Sequence, residues 1–204
     1  MKNTETELRV ARLAPEYIVL VKPCGVSSGE DGAMPLLRQA LAARGEPDEL
    51  YPVHRLDRET DGLMLFARTK QAAAFFSEEI HAGGFEKIYE ARLSGVPKEK
   101  EGTLRDLLFH DRQKNKTYVA DKQRRGVKEA ALYYTVTEES AGCCTVRVRL
   151  ETGRTHQIRV QFASRGLPLV GDRKYGGPKA DRLYLTAREL RFTAPDGRMM
   201  EFKI

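Results

Sequence analysis

The stretch from His54 to Arg68 constrains the fold of this chain most, because it joins a charged cluster directly to an apolar run. The cluster reads His-Arg-Leu-Asp-Arg and is followed closely by Thr60, Asp61 and Gly62, and then by the apolar residues 63–67. A short apolar run that ends on polar residues predicts a buried strand. The charged cluster must therefore lie in a loop held against a rigid core, where functional side chains are concentrated.

Asp57 is the residue of greatest chemical interest in this cluster. Arg55 and Arg58 flank it, and nearby positive charge favours an ionised carboxylate. The alternative is a surface turn whose charges only solvate one another, since exposed ion pairs contribute little. The short pattern Arg-x-Asp-Arg by itself favours the surface turn.

Size and charge bound the class of protein. One compact domain over residues 1–204 is expected, with residues 1–14 as a polar lead-in. The 35 basic residues outnumber the 29 acidic ones, a net charge of +6 that favours a polyanionic partner. No apolar run could span a bilayer, and the N-terminus lacks the apolar stretch of a signal peptide. The three cysteines form no CxxC pair, so a cytoplasmic protein with reduced thiols is expected.

Metal and nucleotide cofactors are not expected. The four histidines are scattered, with no spacing typical of metal ligands, and no cysteine pair complements them. The two glycine-rich phosphate-binding motifs, Gly-x4-Gly-Lys-Ser/Thr and Gly-x-Gly-x-x-Gly, are both absent from the sequence. These histidines are His54, His81, His110 and His156.

The order of apolar and polar residues predicts many strands and few helices. Helical spacing occurs over residues 34–43, 70–81 and 155–165, with Thr69 and Thr155 as expected N-caps. Strands are expected over residues 16–21, 63–67, 85–93, 130–136, 144–150, 183–185, 190–192 and 200–202, with a hairpin around 117–119. The class is therefore α+β, with a mixed, largely antiparallel sheet flanked by a few helices.

A basic segment over residues 112–128 is the candidate for nucleic-acid contact. Charged runs are usually solvated faces. This run contains Tyr118 and belongs to a basic protein, so phosphate contact is the alternative. The candidate residues are Lys114, Lys116, Arg124 and Arg125.

Two further residues admit two interpretations each. Tyr89 lies on the inward face of its strand, where it is either a core residue or a wall for a stacked base. Arg154 follows Thr152-Gly153 and is either a solvated arginine or a bidentate partner for a carboxylate or phosphate.

Two blocks of the sequence resemble the pseudouridine synthases of the RluA type. The signature His-Arg-Leu-Asp, two residues, Thr-Ser-Gly and an apolar strand is matched by residues 54–67, with Asp61 where the family more often has Ser. Residues 151–160 form the second block, which is followed by Gly171-Asp172 and Tyr175-Gly176. The order and spacing of the blocks also fit the family.

The match is looser near the C-terminus. Thr186 and Ala194 stand where the family tends to have histidines, and Gln161 stands where a further histidine is common. Many members of the family carry an additional N-terminal RNA-binding domain, and from the length of 204 residues no such separate domain is expected here.

The resemblance implies an enzyme that isomerises specific uridines of ribosomal or transfer RNA to pseudouridine. It implies that Asp57 is the catalytic aspartate, that Tyr89 is an active-site tyrosine and that Arg154 pairs with the aspartate. His54 and Arg55 are expected to contact the RNA, with Arg55 filling the space that a flipped-out uridine leaves. An isomerisation requires no cofactor, and a monomer acting on structured RNA, away from any membrane, is expected.

Two other classes of function stay open. One is a non-catalytic RNA-binding protein on the same scaffold. The other is a glycosidase-like hydrolase, in which Glu59 or Asp61 joins Asp57 as a carboxylate pair.

Overall fold

The structure, a computed structural model, describes residues 8–204. These residues divide into two compact units: unit 1 comprises residues 8–86 and 187–204, and unit 2 comprises residues 87–186. The expectation of a single domain stays a prediction. Residues 1–7 of the expected lead-in lie outside the described residues.

Three helices and a strand-rich framework make up the described chain. The helices are α1 (Ala33–Ala42), α2 (Lys70–Ala82) and α3 (Gln157–Ala163). The strands are β1 (Arg9–Leu13), β2 (Tyr17–Lys22), β3 (Tyr51–Pro52), β4 (Asp61–Ala67), β5 (Glu86–Leu93), β6 (Glu101–Asp111), β7 (Lys116–Ala120), β8 (Val127–Ser140), β9 (Cys143–Leu150), β10 (Leu185–Thr193) and β11 (Met199–Lys203). The predicted α+β class with a mixed, largely antiparallel sheet is confirmed. Across residues 8–204, no helix is both long and apolar enough to cross a membrane.

The strands of unit 1 follow the order β1-β2-β4-β10, with β3 paired to β4 and β11 paired to β10. Strand β4 contains the apolar run of the first block, and its residues from Leu63 to Ala67 are fully buried. It pairs antiparallel with β2 from Tyr17 opposite Ala67 to Lys22 opposite Gly62. The prediction of a buried strand after the charged cluster is therefore confirmed.

Helix α2 closes the core of unit 1 through a cluster of aromatic rings. Phe76 of the helix contacts Tyr17 edge-on at 5.9 Å and Phe192 at 5.5 Å between ring centroids. The Thr69 Oγ1 accepts a hydrogen bond from the Ala72 N–H at 3.1 Å, so the predicted N-cap of this helix is confirmed.

The expectation of a polar lead-in is wrong for residues 9–13, which form strand β1. This strand lies at the end of the strand order of unit 1 and pairs antiparallel with β2. Edge strands commonly carry charged side chains, because charge discourages pairing with other chains. The arginines of β1 are exposed. Because these charged residues make the segment polar, its composition does not indicate a strand.

The strands of unit 2 follow the order β5-β9-β8-β6-β7, and each neighbouring pair is antiparallel. The expected hairpin exists, but residues 117–119 lie within strand β7 and the turn falls at 112–115. Helix α3 packs its Val160 against Leu108 of β6 and Ala130 of β8.

The start of helix α3 differs from the prediction. Thr155 is not its N-cap; His156 holds that position in the left-handed conformation, with φ of 55°, and makes no side-chain capping bond. The Thr155 carbonyl instead accepts a hydrogen bond from the Thr117 Oγ1 of β7 at 2.8 Å. A contact from a distant strand therefore decides how this turn enters the helix, which local sequence cannot show.

Gly62 allows strand β4 to pass close to the backbone of β10. Its φ is +115°, a conformation that side chains rarely adopt, and a Cβ at this position would lie 2.3 Å from the Ala187 carbonyl oxygen. The glycine of the first block is therefore required by backbone packing.

The loop after β2 and the loop before β4 are joined by reciprocal hydrogen bonds. The Gly25 N–H donates to the Arg58 carbonyl at 2.8 Å, and the Arg58 Nε–H donates to the Gly25 carbonyl at 2.8 Å. The Ser28 hydroxyl donates to the Leu56 carbonyl at 2.8 Å and accepts from the Leu56 N–H at 2.9 Å. These four bonds form what we call the loop clamp.

Lys22 lies at the centre of the loop clamp and is 0% exposed. Its Nζ donates to the carbonyl oxygens of Val26 at 2.6 Å, Pro23 at 2.9 Å and Arg58 at 3.3 Å. Burial lowers the pKa of Lys22 to about 8, against the opposing influence of nearby anionic groups that include Asp57.

Replacing Gly62 by alanine should lower the free energy of unfolding by about 2–5 kcal/mol, because backbone strain and a clash with β10 add together. Gly83→Ala is the matched control: its φ is +80°, but a Cβ there meets no atom within 4 Å. The control should cost only about 1–2 kcal/mol. Urea unfolding of both variants measures the difference, and equal costs would contradict the proposed clash.

The depressed pKa of Lys22 should appear as a stability that rises with pH. Between about pH 8 and its ordinary pKa of 10.5, the unfolded chain binds more protons than the folded chain at this side chain. The folded state should therefore gain at most about 3 kcal/mol relative to the unfolded state across this window.

Urea titrations of wild type and Lys22→Met measure this gain as a difference in the slope of unfolding free energy against pH. Lys98→Met, which removes an exposed lysine, is the control and should keep the wild-type slope. Parallel curves for wild type and Lys22→Met would refute the depressed pKa.

Candidate active site

Asp57 occupies the first position of a tight turn in unit 1. The Thr60 N–H donates to the Asp57 carbonyl at 3.0 Å, and the Asp57 side chain is half-buried. Its two neighbours, Leu56 and Arg58, are the residues that the loop clamp holds. The backbone is thus fixed on both sides of the carboxylate, which is the kind of support that a preorganised catalytic group needs.

The structure gives His54 a definite local contact and leaves Arg55 exposed. The His54 Nε2 accepts a hydrogen bond from the Leu65 N–H at 3.1 Å, and its ring lies 5.5 Å from the ring of Phe85. An accepting Nε2 requires a neutral imidazole with its proton on Nδ1. His54 therefore helps to attach the Asp57 loop to β4, while exposed Arg55 can reach a partner.

Lys22 and Ser28 are site residues that sequence reasoning missed. Residues 26–32 show no helical or strand pattern in the sequence, and this segment supplies the Ser28 hydroxyl that bonds to both backbone groups of Leu56. The sequence Lys22-Pro23-Cys24-Gly25, which begins at the last residue of β2, is the available signal for Lys22. That pattern does not show that the lysine side chain turns inward onto three carbonyl groups.

Tyr89 lies on β5 in unit 2, opposite Val148 of β9, and is 6% exposed. Alternation along the strand places Lys87 and Ala91 on the same face as Tyr89. Burial lowers the pKa of the half-buried Lys87, whose Nζ lies 3.9 Å from the position of a Cβ on Gly153. The Lys87 amine, on the same strand as Tyr89, therefore reaches the turn that carries Arg154. Sequence reasoning did not identify this contact.

The turn that carries Arg154 is organised by Gln157. The Gln157 Oε1 accepts from the Arg154 N–H at 2.9 Å and from the Thr152 hydroxyl at 2.8 Å. Its Nε2 donates to the Ala131 carbonyl at 3.0 Å, which ties the turn to β8. The Arg154 Nε–H donates to the Glu129 carbonyl at 2.8 Å, its one side-chain hydrogen bond within residues 8–204. The guanidinium is therefore anchored at Nε and presents its two amino groups.

Arg159 of the second block binds the loop that contains Gly171-Asp172 and Tyr175-Gly176. Its Nε and Nη2 donate to Asp172 at 2.7 and 2.8 Å, and both side chains are fully buried. Asp172 also accepts from the N–H groups of Lys174 and Tyr175 at 3.1 and 3.2 Å. A buried bidentate pair that also satisfies backbone donors holds this loop onto helix α3.

Gln161, which replaces a common family histidine, has its own buried contacts. Its Nε2 donates to Asp106 Oδ2 at 2.7 Å, and Arg165 pairs with the same carboxylate at 2.9 Å. This substitution is therefore accommodated on the face of α3 that packs on β6.

The structure brings part of the basic segment together around two aromatic rings. Phe109 of β6 lies directly opposite Tyr118 of β7, so the two rings share one face of the hairpin. Lys116 Nζ lies 5.7 Å from the Tyr118 ring centroid, and Arg124 Cζ lies 5.4 Å from that of Phe109. Tyr118 is 39% exposed. We call these four residues the aromatic-basic face.

The other two candidate basic residues lie in the connections. Lys114 is exposed in the turn of the β6–β7 hairpin, and its N–H donates to Asp111 Oδ1 at 3.1 Å. Arg125 is exposed in the loop between β7 and β8. The structure therefore places two of the four basic candidates beside the aromatic rings and two at the borders of that face.

The predicted site residues fall into both units. His54, Arg55 and Asp57 belong to unit 1, whereas Tyr89, Arg154 and the basic segment belong to unit 2. Their meeting in one catalytic site stays a prediction. Among residues 8–204 there is no group of three or more histidine, cysteine or acidic side chains that could hold a metal ion.

Comparison with known proteins identifies relatives for most of the chain. The profile of the RNA pseudouridylate synthase family matches residues 16–164. An uncharacterized RNA pseudouridine synthase of Zymomonas mobilis is 37% identical over 86% of this chain and 81% of its own length. The ribosomal large subunit pseudouridine synthase D of Pseudomonas aeruginosa is 39% identical over 73% of this chain. The matched region covers 47% of that protein's own length.

Solved structures show the same fold. Human RNA pseudouridylate synthase domain containing 1 superimposes with a TM-score of 0.80 and 24% identity, over 97% of this chain and 83% of that one. Human RNA pseudouridylate synthase domain containing 4 also superimposes with a TM-score of 0.80. The family profile, the relatives and the two sequence blocks agree, and the chain belongs to the RluA-type family of RNA pseudouridine synthases.

Proposed function

We propose that this chain isomerises particular uridines of folded ribosomal or transfer RNA to pseudouridine, with Asp57 as the catalytic carboxylate. The observation that carries the proposal is the loop clamp. It fixes the backbone on both sides of Asp57, although a turn of charged residues without a chemical role would need no such support.

The reaction sets clear demands on the site. The bond between the ribose anomeric carbon and N1 of uracil breaks, the base turns, and a new bond forms from carbon 5. The proton on carbon 5 is then released, and N1, which has lost its bond to the ribose, takes up a proton. No electrons are gained or lost, so no cofactor is required. Asp57 serves either as the nucleophile at the anomeric carbon or as the base in a route through a glycal.

Arg154 and Tyr89 have supporting roles in the proposed reaction. The Nε anchor on Glu129 fixes the guanidinium plane of Arg154, so its amino groups can meet a carboxylate in the two-pronged geometry that lysine cannot form. Tyr89 confines the detached base with its ring. Exposed Arg55 fills the space left by the target uridine when it leaves its stack.

The proposed substrate is folded RNA in the cytoplasm, bound by a monomer of this protein. The aromatic-basic face combines cationic groups with an exposed tyrosine ring, which together suit phosphates and unstacked bases. A relative named ribosomal large subunit pseudouridine synthase D supports ribosomal RNA as a target, and one named dual-specificity RNA pseudouridine synthase supports more than one RNA target.

Tritium release should separate this isomerase from a hydrolase and from a non-catalytic RNA-binding protein. Ribosomal and transfer RNA transcribed with uridine tritiated at carbon 5 should release one tritium to water per modified site, because the new carbon–carbon bond expels that hydrogen. The strand should keep its length, with no free uracil.

Asp57→Asn is the control in this assay, since it removes the charge and little volume. Its rate should fall at least about 10³-fold while RNA affinity stays close to wild type. Free uracil from the wild-type reaction would support the hydrolase, and tight binding with no tritium release from any cellular RNA would support the non-catalytic protein. Substantial turnover by Asp57→Asn would refute the role of this aspartate.

Neutralising Lys114, Lys116, Arg124 and Arg125 to glutamine should weaken RNA binding without changing the rate of the bound complex. If these residues bind phosphates, the slope of log affinity against log salt should shrink by roughly 0.7 for each phosphate of single-stranded RNA that the variant no longer neutralises. Lys98→Gln with Lys179→Gln removes exposed positive charge elsewhere in unit 2 and should leave the slope unchanged. An equal slope in the fourfold variant and wild type would show that the segment is only a solvated face.

A further inference from the structure

We propose that Thr117 is a positioning residue, which holds the turn that carries Arg154 from the neighbouring strand β7. The inference rests on the proposed function, because it takes Arg154 as a residue of the uridine site. It adds a side chain that the sequence did not single out for chemistry.

Thr117 lies between Lys116 and Tyr118 but faces the other way. Alternation along β7 turns its side chain from the aromatic-basic face toward the turn before helix α3, and it is 1% exposed. A threonine buried to this degree needs hydrogen-bond partners for its hydroxyl.

The partners of Thr117 fix the direction of each of its hydrogen bonds. Its Oγ1 donates to the Thr155 carbonyl at 2.8 Å and lies 3.0 Å from His110 Nδ1. Since the hydroxyl proton is committed to Thr155, the hydroxyl oxygen must accept the proton of His110 Nδ1. The Thr117 N–H donates to the Tyr175 hydroxyl at 2.8 Å.

The turn needs this support because His156, the residue after Thr155, is in the left-handed conformation with φ of 55°. A residue other than glycine in this region is strained and persists only where its surroundings hold it. Two contacts do so here: Thr117 holds the carbonyl before His156, and the Tyr175 hydroxyl lies 2.9 Å from His156 Nδ1.

Arg154 directly precedes the part of the turn that Thr117 holds. Gln157 fixes the first half of the turn through the Arg154 N–H, whereas Thr117 fixes the second half through Thr155. Loss of the Thr117 hydroxyl would leave the Thr155 carbonyl without this donor and would let the turn relax. A displacement of about 1 Å in a positioned group costs up to about 10²-fold in rate.

Thr117→Val tests this role, because valine keeps the shape of threonine and removes the hydroxyl. The single-turnover rate of tritium release at saturating RNA should fall about 10- to 100-fold, while RNA affinity stays near wild type. Thr117→Ser, which keeps the hydroxyl, should restore most of the rate. Thr137→Val is the matched control, since it removes another threonine hydroxyl bond to a backbone carbonyl of unit 2 and should have no effect.

A double-mutant comparison shows whether Thr117 acts through Arg154. Adding Thr117→Val to Arg154→Ala should cause little further loss, because the group that Thr117 positions is already absent. A full additional loss in that background would overturn the proposal. A wild-type rate in Thr117→Val, or an equal loss in Thr117→Val and Thr117→Ser, would also overturn it.

Folding and the proposed function are checked separately. If Thr117→Val does not fold, Thr117→Ala takes its place, and failure of both to fold would make Thr117 a stability residue and overturn the proposal. Absence of tritium release by the wild-type protein would overturn the proposed function itself, whereas an active wild type with unaffected variants would overturn only this inference.

Discussion

The buried ammonium of Lys22 is the interaction on which the neighbourhood of Asp57 depends. Three backbone carbonyls surround its Nζ, and one of them, Arg58, belongs to the turn of Asp57 itself. Burying this charge is unfavourable, which is why its pKa falls to about 8. The cost is offset by satisfying carbonyl groups in two loops that have no regular secondary structure. One side chain thus takes the place of the sheet hydrogen bonds, which stop where β2 ends and β4 begins.

In the second block, residues 151–160, polar side chains likewise hold backbone segments in place. Gln157 folds the turn of Arg154, and Arg159 pairs with Asp172 in the interior. Neither side chain is required by the proposed chemistry, although both belong to the motif that identifies the family. A long motif of this kind therefore combines a few reacting groups with many groups that hold them. Mutations at the supporting residues should be distinguished from mutations at the reacting ones by their effect on unfolding as well as on rate.

Sequence reasoning recovered the elements that local patterns determine. The buried strand β4, helix α2 with its Thr69 cap and strand β9 follow from apolar spacing, and the structure confirms them. It failed where distant contacts decide the conformation. The left-handed His156 depends on Thr117 and Tyr175, which are far away in sequence, and the inward turn of Lys22 depends on carbonyls from two loops. Whether Asp57, Tyr89 and Arg154 form one site stays a prediction.

Strand β7 shows why a basic run could not be divided into roles from composition alone. In the sequence, Lys116, Thr117 and Tyr118 are consecutive polar or aromatic residues within one charged segment. In the strand, Lys116 and Tyr118 belong to the aromatic-basic face, whereas Thr117 is buried against the Arg154 turn. Alternation thus lets one short strand serve both proposed functions, contact with RNA on one side and support of the Arg154 turn on the other.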